Sequence, residues 1–91
     1  MSVQWLFEVI EDRKINPTEK SYTAGLFKVG LPTIAQKVGE EATEVVVAAL
    51  SQDDQRLIEE IADLTFHILV TLSARGLTPA QIIAELEKRH K

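Results

Sequence analysis

The sequence predicts an all-α fold of four to five helices in a single domain that spans residues 1–91. Apolar residues recur at helical spacing along most of the chain, and capping residues divide it into helical segments. The run from Val45 to Leu50 would suit a strand by propensity, but no turn precedes it and it continues a helical pattern that begins at Ile34. One core in so short a chain is thin, so we expect oligomerisation to complete the bundle.

Local signals place the first two helices. The first is predicted over roughly 3–13 with Ser2 as its cap, and a loop follows over roughly 14–20. Ser21 caps a short second helix. That helix ends at Gly30, because glycine readily adopts the left-handed conformation that terminates helices.

Two long helices and a final shorter one are predicted next. The first long helix begins around Thr33, which fits a capping box with Gln36, and it runs to about Leu50. The second covers roughly 54–75 and stops at Gly76. The final helix has a strong initiation signal, the segment Thr78-Pro79-Ala80-Gln81.

The composition excludes several classes of function. The chain has no cysteine, which excludes disulfides, thiolate metal sites and cysteine nucleophiles. Its formal charge is −4 and no block of Lys or Arg could follow a phosphate backbone, so nucleic acid is not expected as a partner. No apolar run is long enough for a membrane span and the N-terminus lacks the pattern of a signal peptide, so we expect a soluble cytoplasmic protein.

Acidic residues occupy unexpected positions on the two long helices. The first long helix has an apolar face made of Ile34, Val38, Val45 and Ala49. Glu41 falls in the middle of that face and Glu44 lies at its edge. The second long helix has an apolar stripe made of Leu57, Ile61, Leu64, Ile68 and Leu72. Beside this stripe, Glu60, Asp63 and His67 follow one another at helical spacing, so we expect both lines of acids to point into the protein.

Four inward carboxylates would repel one another and destabilise the fold unless cations neutralise them. Lys37 is the only nearby basic residue on the same side. Hard divalent cations prefer oxygen ligands, so the pattern indicates a site for Mg²⁺, with Mn²⁺ as a substitute. His67 is expected to support the ligands by a hydrogen bond more than to bind metal itself. Glu40 and Glu59 are expected on the solvated outer arcs, although Glu40 is also a candidate to support its neighbour Glu41.

The acidic segments also resemble a known family. The stretch from Lys37 to Glu44, followed after fifteen residues by Glu60-Ile61-Ala62-Asp63, resembles the EExxE…ExxD signature of the all-α MazG-like nucleotide pyrophosphatases. Within that superfamily the chain is similar to the phosphoribosyl-ATP pyrophosphohydrolases. This closer similarity rests on Ser21-Tyr22-Thr23, on IAQKVGEEATE (34–44) and on the ADL…H…L…RGL pattern over 62–77. The resemblance covers nearly the whole chain and implies a MazG-like helical bundle.

The resemblance implies a specific reaction. Phosphoribosyl-ATP would be hydrolysed between its α and β phosphates to phosphoribosyl-AMP and pyrophosphate, the second step of histidine biosynthesis. The implied metal ligands and catalytic residues are Glu41, Glu44, Glu60 and Asp63. Lys37 and, more weakly, Lys28 are candidate phosphate ligands, each with an ordinary surface lysine as the alternative. Tyr22 could stack on the base, although packing within the short helix is favoured.

Two other functions remain open. A MazG-like house-cleaning hydrolase of dUTP or noncanonical nucleoside triphosphates would share the metal site, and a substrate panel would separate it. A non-catalytic helical dimerisation module would carry the same acids without binding Mg²⁺ specifically. A homodimer, or a dimer of dimers, is expected because the two long helices are apolar on more faces than a monomer could cover.

Overall fold

A computed structural model describes residues 1–90, which form five α-helices and no strand. The helices are α1 (Val3–Ile15), α2 (Tyr22–Val29), α3 (Leu31–Ser51), α4 (Asp54–Ala74) and α5 (Pro79–Arg89). The predicted all-α fold is therefore confirmed. Lys91, which the predicted domain includes, lies outside the described residues.

Side chains at the helix starts explain most of the boundaries. In α1, α2 and α4 the residue before the helix accepts a hydrogen bond from a backbone N–H of the first turn; these residues are Ser2, Ser21 and Asp53. Each bond satisfies a donor that has no partner within the helix. At the start of α5, Gln81 Oε1 accepts a hydrogen bond from the backbone N–H of Thr78 at 2.8 Å. This bond is the glutamine half of the predicted capping box.

The start of α3 differs from the prediction. The helix begins at Leu31 with Gly30 as its N-cap, so Thr33 lies within the first turn and forms no capping box with Gln36. The Gln36 amide instead donates to Glu40 at 3.0 Å. Gly30 has a φ of 96°, a conformation that residues with a side chain rarely adopt, so this one glycine both ends α2 and begins α3. No loop is left between the two helices for Thr33 to cap.

The core is built mainly by α1, α2 and α4. Its buried members are Phe7, Ile10, Leu26, Ile34, Leu69, Val70 and Leu72. Polar contacts tie the end of α1, which extends slightly beyond its predicted length, to α4. Lys14 Nζ donates to the Ser73 carbonyl oxygen at 2.8 Å, and Ser73 Oγ donates to Glu11 at 2.8 Å. In contrast, α5 has no buried residue.

The buried face of α4 is rotated from the predicted apolar stripe. Ile61 and Ile68 are 45% and 41% exposed, whereas Glu60 and His67 are buried. On α3 the shift is smaller: Ala48 is buried, whereas Ala49 of the predicted apolar face is exposed. Buried polar groups need hydrogen-bond partners, which this chain supplies to both Glu60 and His67. Ile61 and Ile68 have no polar group that requires a partner. In a single chain they remain at the surface.

The two long helices form a hairpin joined by Gln52 and Asp53. Their mutual contact is the most extensive between any two helices of residues 1–90. The hairpin places the middle of α3 beside the first half of α4, and the predicted acidic residues lie in these two segments. Over the same described range, no helix combines the length and the apolar character that a membrane crossing requires.

Candidate metal centre

Three of the four predicted acids come together between α3 and α4. Glu41, Glu60 and Asp63 each offer a carboxylate oxygen, and these oxygens all lie within 4.8 Å of one another. Oxygens that bind one hard divalent cation at about 2.0–2.6 Å lie at most about 5 Å apart, so the cluster fits such an ion. Glu60 is buried, Glu41 is half-buried and Asp63 is exposed, so the cluster opens to solvent on one side.

Glu44 stands outside this cluster. It follows Glu41 by one turn of α3 and its side chain is exposed. The expectation that all four acids point into the protein is therefore wrong for Glu44 and Asp63. Both side chains are exposed within residues 1–90. Whether Glu44 also binds metal stays a prediction.

The surroundings of Glu41 raise the pKa of its carboxyl above the ordinary value. Partial burial is the largest cause that raises the pKa of this carboxyl, and the negative charge of Asp63 is the next. Glu60 raises the Glu41 pKa further, while the nearby His67 and Lys37 lower it. The ionised carboxylates therefore destabilise one another, and a bound cation would relieve that repulsion.

Arg56, which the sequence interpretation did not single out, pairs with the buried member of the cluster. Its Nη2 donates to Glu60 Oε1 at 2.6 Å, and its Nη1 pairs with Glu59. The guanidinium therefore fixes one oxygen of Glu60 and leaves the other available to the cluster. The spacing of four residues between Arg56 and Glu60 on a helix was the signal that could have revealed this pair.

His67 is buried and connects α4 to α2. Its Nδ1 donates to the Asp63 carbonyl oxygen at 2.8 Å, because a carbonyl can only accept. In the neutral ring, Nε2 then accepts the hydrogen bond from the Tyr22 hydroxyl at 3.0 Å. The Phe66 ring meets the imidazole edge-on with 5.2 Å between ring centroids. Both ring nitrogens form hydrogen bonds within the chain. This favours the interpretation that His67 holds neighbouring residues in position over direct metal binding.

Comparison with known proteins identifies the family. Residues 3–90 match the family model of the PRA-PH proteins, described as phosphoribosyl-ATP pyrophosphohydrolase. The chain belongs to this family. It is 50% identical over 86 residues to the phosphoribosyl-ATP pyrophosphatase of Clostridium botulinum strain Hall, an alignment that covers 94% of this chain and 78% of that protein. It is 48% identical over 86 residues to the phosphoribosyl-ATP pyrophosphatase of Sulfurisphaera tokodaii, an alignment that covers 94% of this chain and 92% of that protein.

A longer relative also aligns with this chain. The chain is 46% identical over 86 residues to the histidine biosynthesis bifunctional protein of Caldanaerobacter subterraneus subsp. tengcongensis. That alignment covers 94% of this chain and 42% of the bifunctional protein. The family resemblance inferred from the acidic segments is confirmed by these matches.

Within this phosphoribosyl-ATP pyrophosphohydrolase fold, the two candidate lysines lie in different places. Lys37 is one turn before Glu41 and contributes to its electrostatics, while its Nζ lies 3.7 Å from Glu40 Oε1. Glu40 itself is exposed and also accepts the Gln36 bond, so it lies on the outer arc of α3. Lys28 is in the last turn of α2 and lines a separate groove instead of the acidic cluster.

Tyr22→Phe is expected to lower the free energy of unfolding by about 1–2 kcal/mol. The substitution removes the hydroxyl and leaves Nε2 of the buried His67 without its partner, and such unsatisfied groups are costly. Urea denaturation followed by circular dichroism measures the change. Ser51→Ala is the control, because it deletes an exposed hydroxyl that binds only the Val47 carbonyl of its own helix. Equal losses in the two variants would contradict the importance of the Tyr22–His67 bond.

Proposed function

We propose that this chain hydrolyses phosphoribosyl-ATP between its α and β phosphates, and that it releases phosphoribosyl-AMP and pyrophosphate as a step of histidine biosynthesis. The single observation that carries the proposal is the cluster of Glu41, Glu60 and Asp63 in a chain of this family. We further propose that the chain acts as a single cytoplasmic domain on a small nucleotide, with neither nucleic acid nor membrane as partner. The absence of cysteine fits the reducing cytoplasm.

The proposed cofactor is Mg²⁺, with Mn²⁺ as a substitute. Glu41, Glu60 and Asp63 are the proposed ligands, and Glu44 is proposed as a fourth. Only oxygen donors meet at this point, which suits a hard cation better than zinc. When bound, Mg²⁺ neutralises charge on the phosphate oxygens and makes water a better nucleophile at neutral pH.

The chain's own residues hold the site in position. Arg56 binds one oxygen of Glu60 and so orients the buried carboxylate towards its neighbours. His67 holds the backbone of Asp63 and is itself held by Tyr22, so α2 braces the turn of α4 that carries the ligands. We propose that Tyr22 acts through packing and hydrogen bonding instead of stacking on the base.

Lys37 is the proposed phosphate ligand on α3. It lies one turn before Glu41, and its ion pair with the exposed Glu40 is long, at 3.7 Å. Such exposed pairs contribute little to stability. The ammonium group can therefore exchange Glu40 for a phosphate oxygen of the substrate at small cost.

A steady-state assay tests the proposed activity. Phosphoribosyl-ATP, dUTP and ATP are compared in Mg²⁺, and pyrophosphate is measured as the product. We expect the highest kcat/KM for phosphoribosyl-ATP. Preference for dUTP would replace the proposal with a house-cleaning pyrophosphatase. Absence of both hydrolysis and specific Mg²⁺ binding would favour the non-catalytic helical module.

We propose that the chain works as a homodimer, or a dimer of dimers, assembled through α3 and α4. Large apolar side chains remain exposed on this hairpin; they are Val46, Val47, Leu50, Ile58, Ile61 and Ile68. An excess of exposed large apolar side chains favours a protein interface over contact with water. A small single-chain core leaves these apolar side chains of the hairpin exposed, and a second copy of the chain would bury them.

Sedimentation velocity is expected to show a dimer or tetramer at micromolar concentration. Ile58→Lys should shift the chain towards monomer, because a lysine cannot be buried unpaired in an apolar interface. Ile15→Lys is the control: Ile15 is also an exposed isoleucine, but it ends α1 and lies outside the hairpin. A stable monomer of the unmodified chain would refute the assembly.

A further inference from the structure

A groove of about 720 Å³ lies between α2 and the segment that joins it to α1. Its volume is within the range of about 300–1,000 Å³ that is typical of small-molecule sites. Arg13, Lys14, Lys28 and Glu19 contribute the charged groups of the wall, and Phe27 contributes an aromatic ring. The groove therefore combines an apolar surface with an excess of positive charge, although the chain as a whole carries a formal charge of −4.

Two of these cations are available to a ligand. Lys14 is not one of them, because its Nζ already forms an ion pair with Glu11 at 2.9 Å. Arg13 pairs only with the exposed Asp12, and exposed pairs of this type contribute little, so an anion can displace Asp12. Within residues 1–90, Lys28 has no ion pair at all.

Gly25 leaves the groove open on the side formed by α2. It lies in the interior of α2, where glycine is less favourable than alanine, and it lines the groove. A Cβ built at this position would meet no protein atom within 4 Å, so packing within the chain does not require the glycine. Because Gly25 lines the groove, a side chain at this position would project into the open space of the groove.

The groove and the acidic cluster both adjoin α2, and Gly25 of the groove lies only about 60° around the helix from Tyr22. Tyr22 contacts His67 beside the cluster. Around the helix, Ala24 and Lys28 lie about 160° and 120° from Tyr22 and line the groove. One short helix therefore contacts both places.

We propose that this groove binds the phosphate of a sugar phosphate, with Arg13 and Lys28 as its cationic contacts and Phe27 as an apolar wall for the sugar. The choice of sugar phosphate rests on the proposed function, since phosphoribosyl-ATP carries a ribose phosphate away from its triphosphate. Ordinary nucleoside triphosphates lack this group. The groove would then discriminate between phosphoribosyl-ATP and ATP, a role that the acidic cluster alone cannot perform.

Binding of ribose 5-phosphate in EDTA tests the groove without any catalysis. Isothermal titration calorimetry on the full chain is expected to show saturable binding. Lys28→Gln and Arg13→Gln should each weaken it about tenfold or more, the scale expected when one charge-assisted hydrogen bond is lost. The matched control is Lys88→Gln, an exposed lysine in the last turn of α5, which should bind as the unmodified chain does.

Gly25→Leu separates ligand binding from folding. Leucine is a better helix former than glycine, so the melting temperature should be no lower than that of the unmodified chain. The new side chain should nevertheless obstruct the groove and weaken ribose 5-phosphate binding at least tenfold. If binding is retained in this variant, or is equally strong in Lys28→Gln and Arg13→Gln, the assignment of the groove is overturned.

Kinetics then identify the source of the phosphate. If the groove holds the substrate's own ribose phosphate, Lys28→Gln raises KM for phosphoribosyl-ATP by a larger factor than it raises KM for ATP. If ribose 5-phosphate binds to the unmodified chain but Lys28→Gln leaves KM for phosphoribosyl-ATP unchanged, the groove binds a free sugar phosphate. Absence of both binding and a KM effect overturns the proposal. Failure of the unmodified chain to hydrolyse phosphoribosyl-ATP, with ribose 5-phosphate binding intact, would contradict the proposed activity alone.

Discussion

Glu41→Gln and Asp63→Asn are each expected to lower kcat for phosphoribosyl-ATP by at least about two orders of magnitude. Both substitutions keep the shape of the side chain and remove a charge from the cluster whose oxygens lie within 4.8 Å of one another. A metal ligand stabilises charge that develops in the transition state, so its loss acts on kcat strongly. Steady-state assays at saturating Mg²⁺ and substrate measure the effect.

Glu59→Gln provides the matched control for these two variants. Glu59 precedes the buried Glu60, but it is exposed and pairs with Arg56 outside the cluster. The same change from carboxylate to amide should therefore leave kcat near that of the unmodified chain. Circular dichroism should show all three variants to be folded. Similar activity in the three variants would remove Glu41 and Asp63 from the catalytic site.

Mg²⁺ is expected to raise the melting temperature substantially. Binding to the folded state alone adds about 2.7 kcal/mol at a hundredfold excess over Kd. For a domain of this size that free energy corresponds to roughly 11–22 °C. The raised pKa of Glu41 indicates that the ionised cluster is destabilising without a cation. Differential scanning fluorimetry in EDTA and in Mg²⁺ measures the difference.

Glu44→Gln uses the same measurement to test the fourth proposed ligand. In EDTA the variant should melt no lower than the unmodified chain, because one repelling charge is removed from the vicinity of the cluster. Mg²⁺ should raise the melting temperature of the variant by less than that of the unmodified chain, because a metal ligand is lost. Glu59→Gln should keep the full shift. If Glu44→Gln lowers the melting temperature by the same amount with and without Mg²⁺, Glu44 is an ordinary exposed residue and not a metal ligand.

Local signals predicted most of the fold. Ser21 and Gln81 act through neighbours in sequence, so the boundaries that they set could be inferred without tertiary structure. The predicted cap at Thr33 failed because Gly30 joins two helices directly, which depends on the path of the backbone. Helical periodicity shows which residues share a face but not which face meets the rest of the chain. For this reason the exposure of Ile61 on α4 was not predicted.

The site was predictable to a similar extent. The sequence indicated that Glu41, Glu60 and Asp63 would converge, because helical spacing places each acid on a definite line of its helix. It did not indicate that Glu44 is exposed, since that depends on how the hairpin sits against the other helices. The Tyr22 hydrogen bond could not be inferred either. It joins residues 45 positions apart, and no local pattern fixes the position of α2 against α4.

The two-residue connection between α3 and α4 has a consequence for folding kinetics. Closing a short loop costs little entropy, and contacts between neighbouring segments form early. The hairpin should therefore form before the end of α1 docks, since Lys14 meets Ser73 from 59 positions away. Repulsion among the carboxylates is then present in the folding transition state, where it slows folding more than it speeds unfolding. A divalent cation that binds at this stage would accelerate folding of the chain.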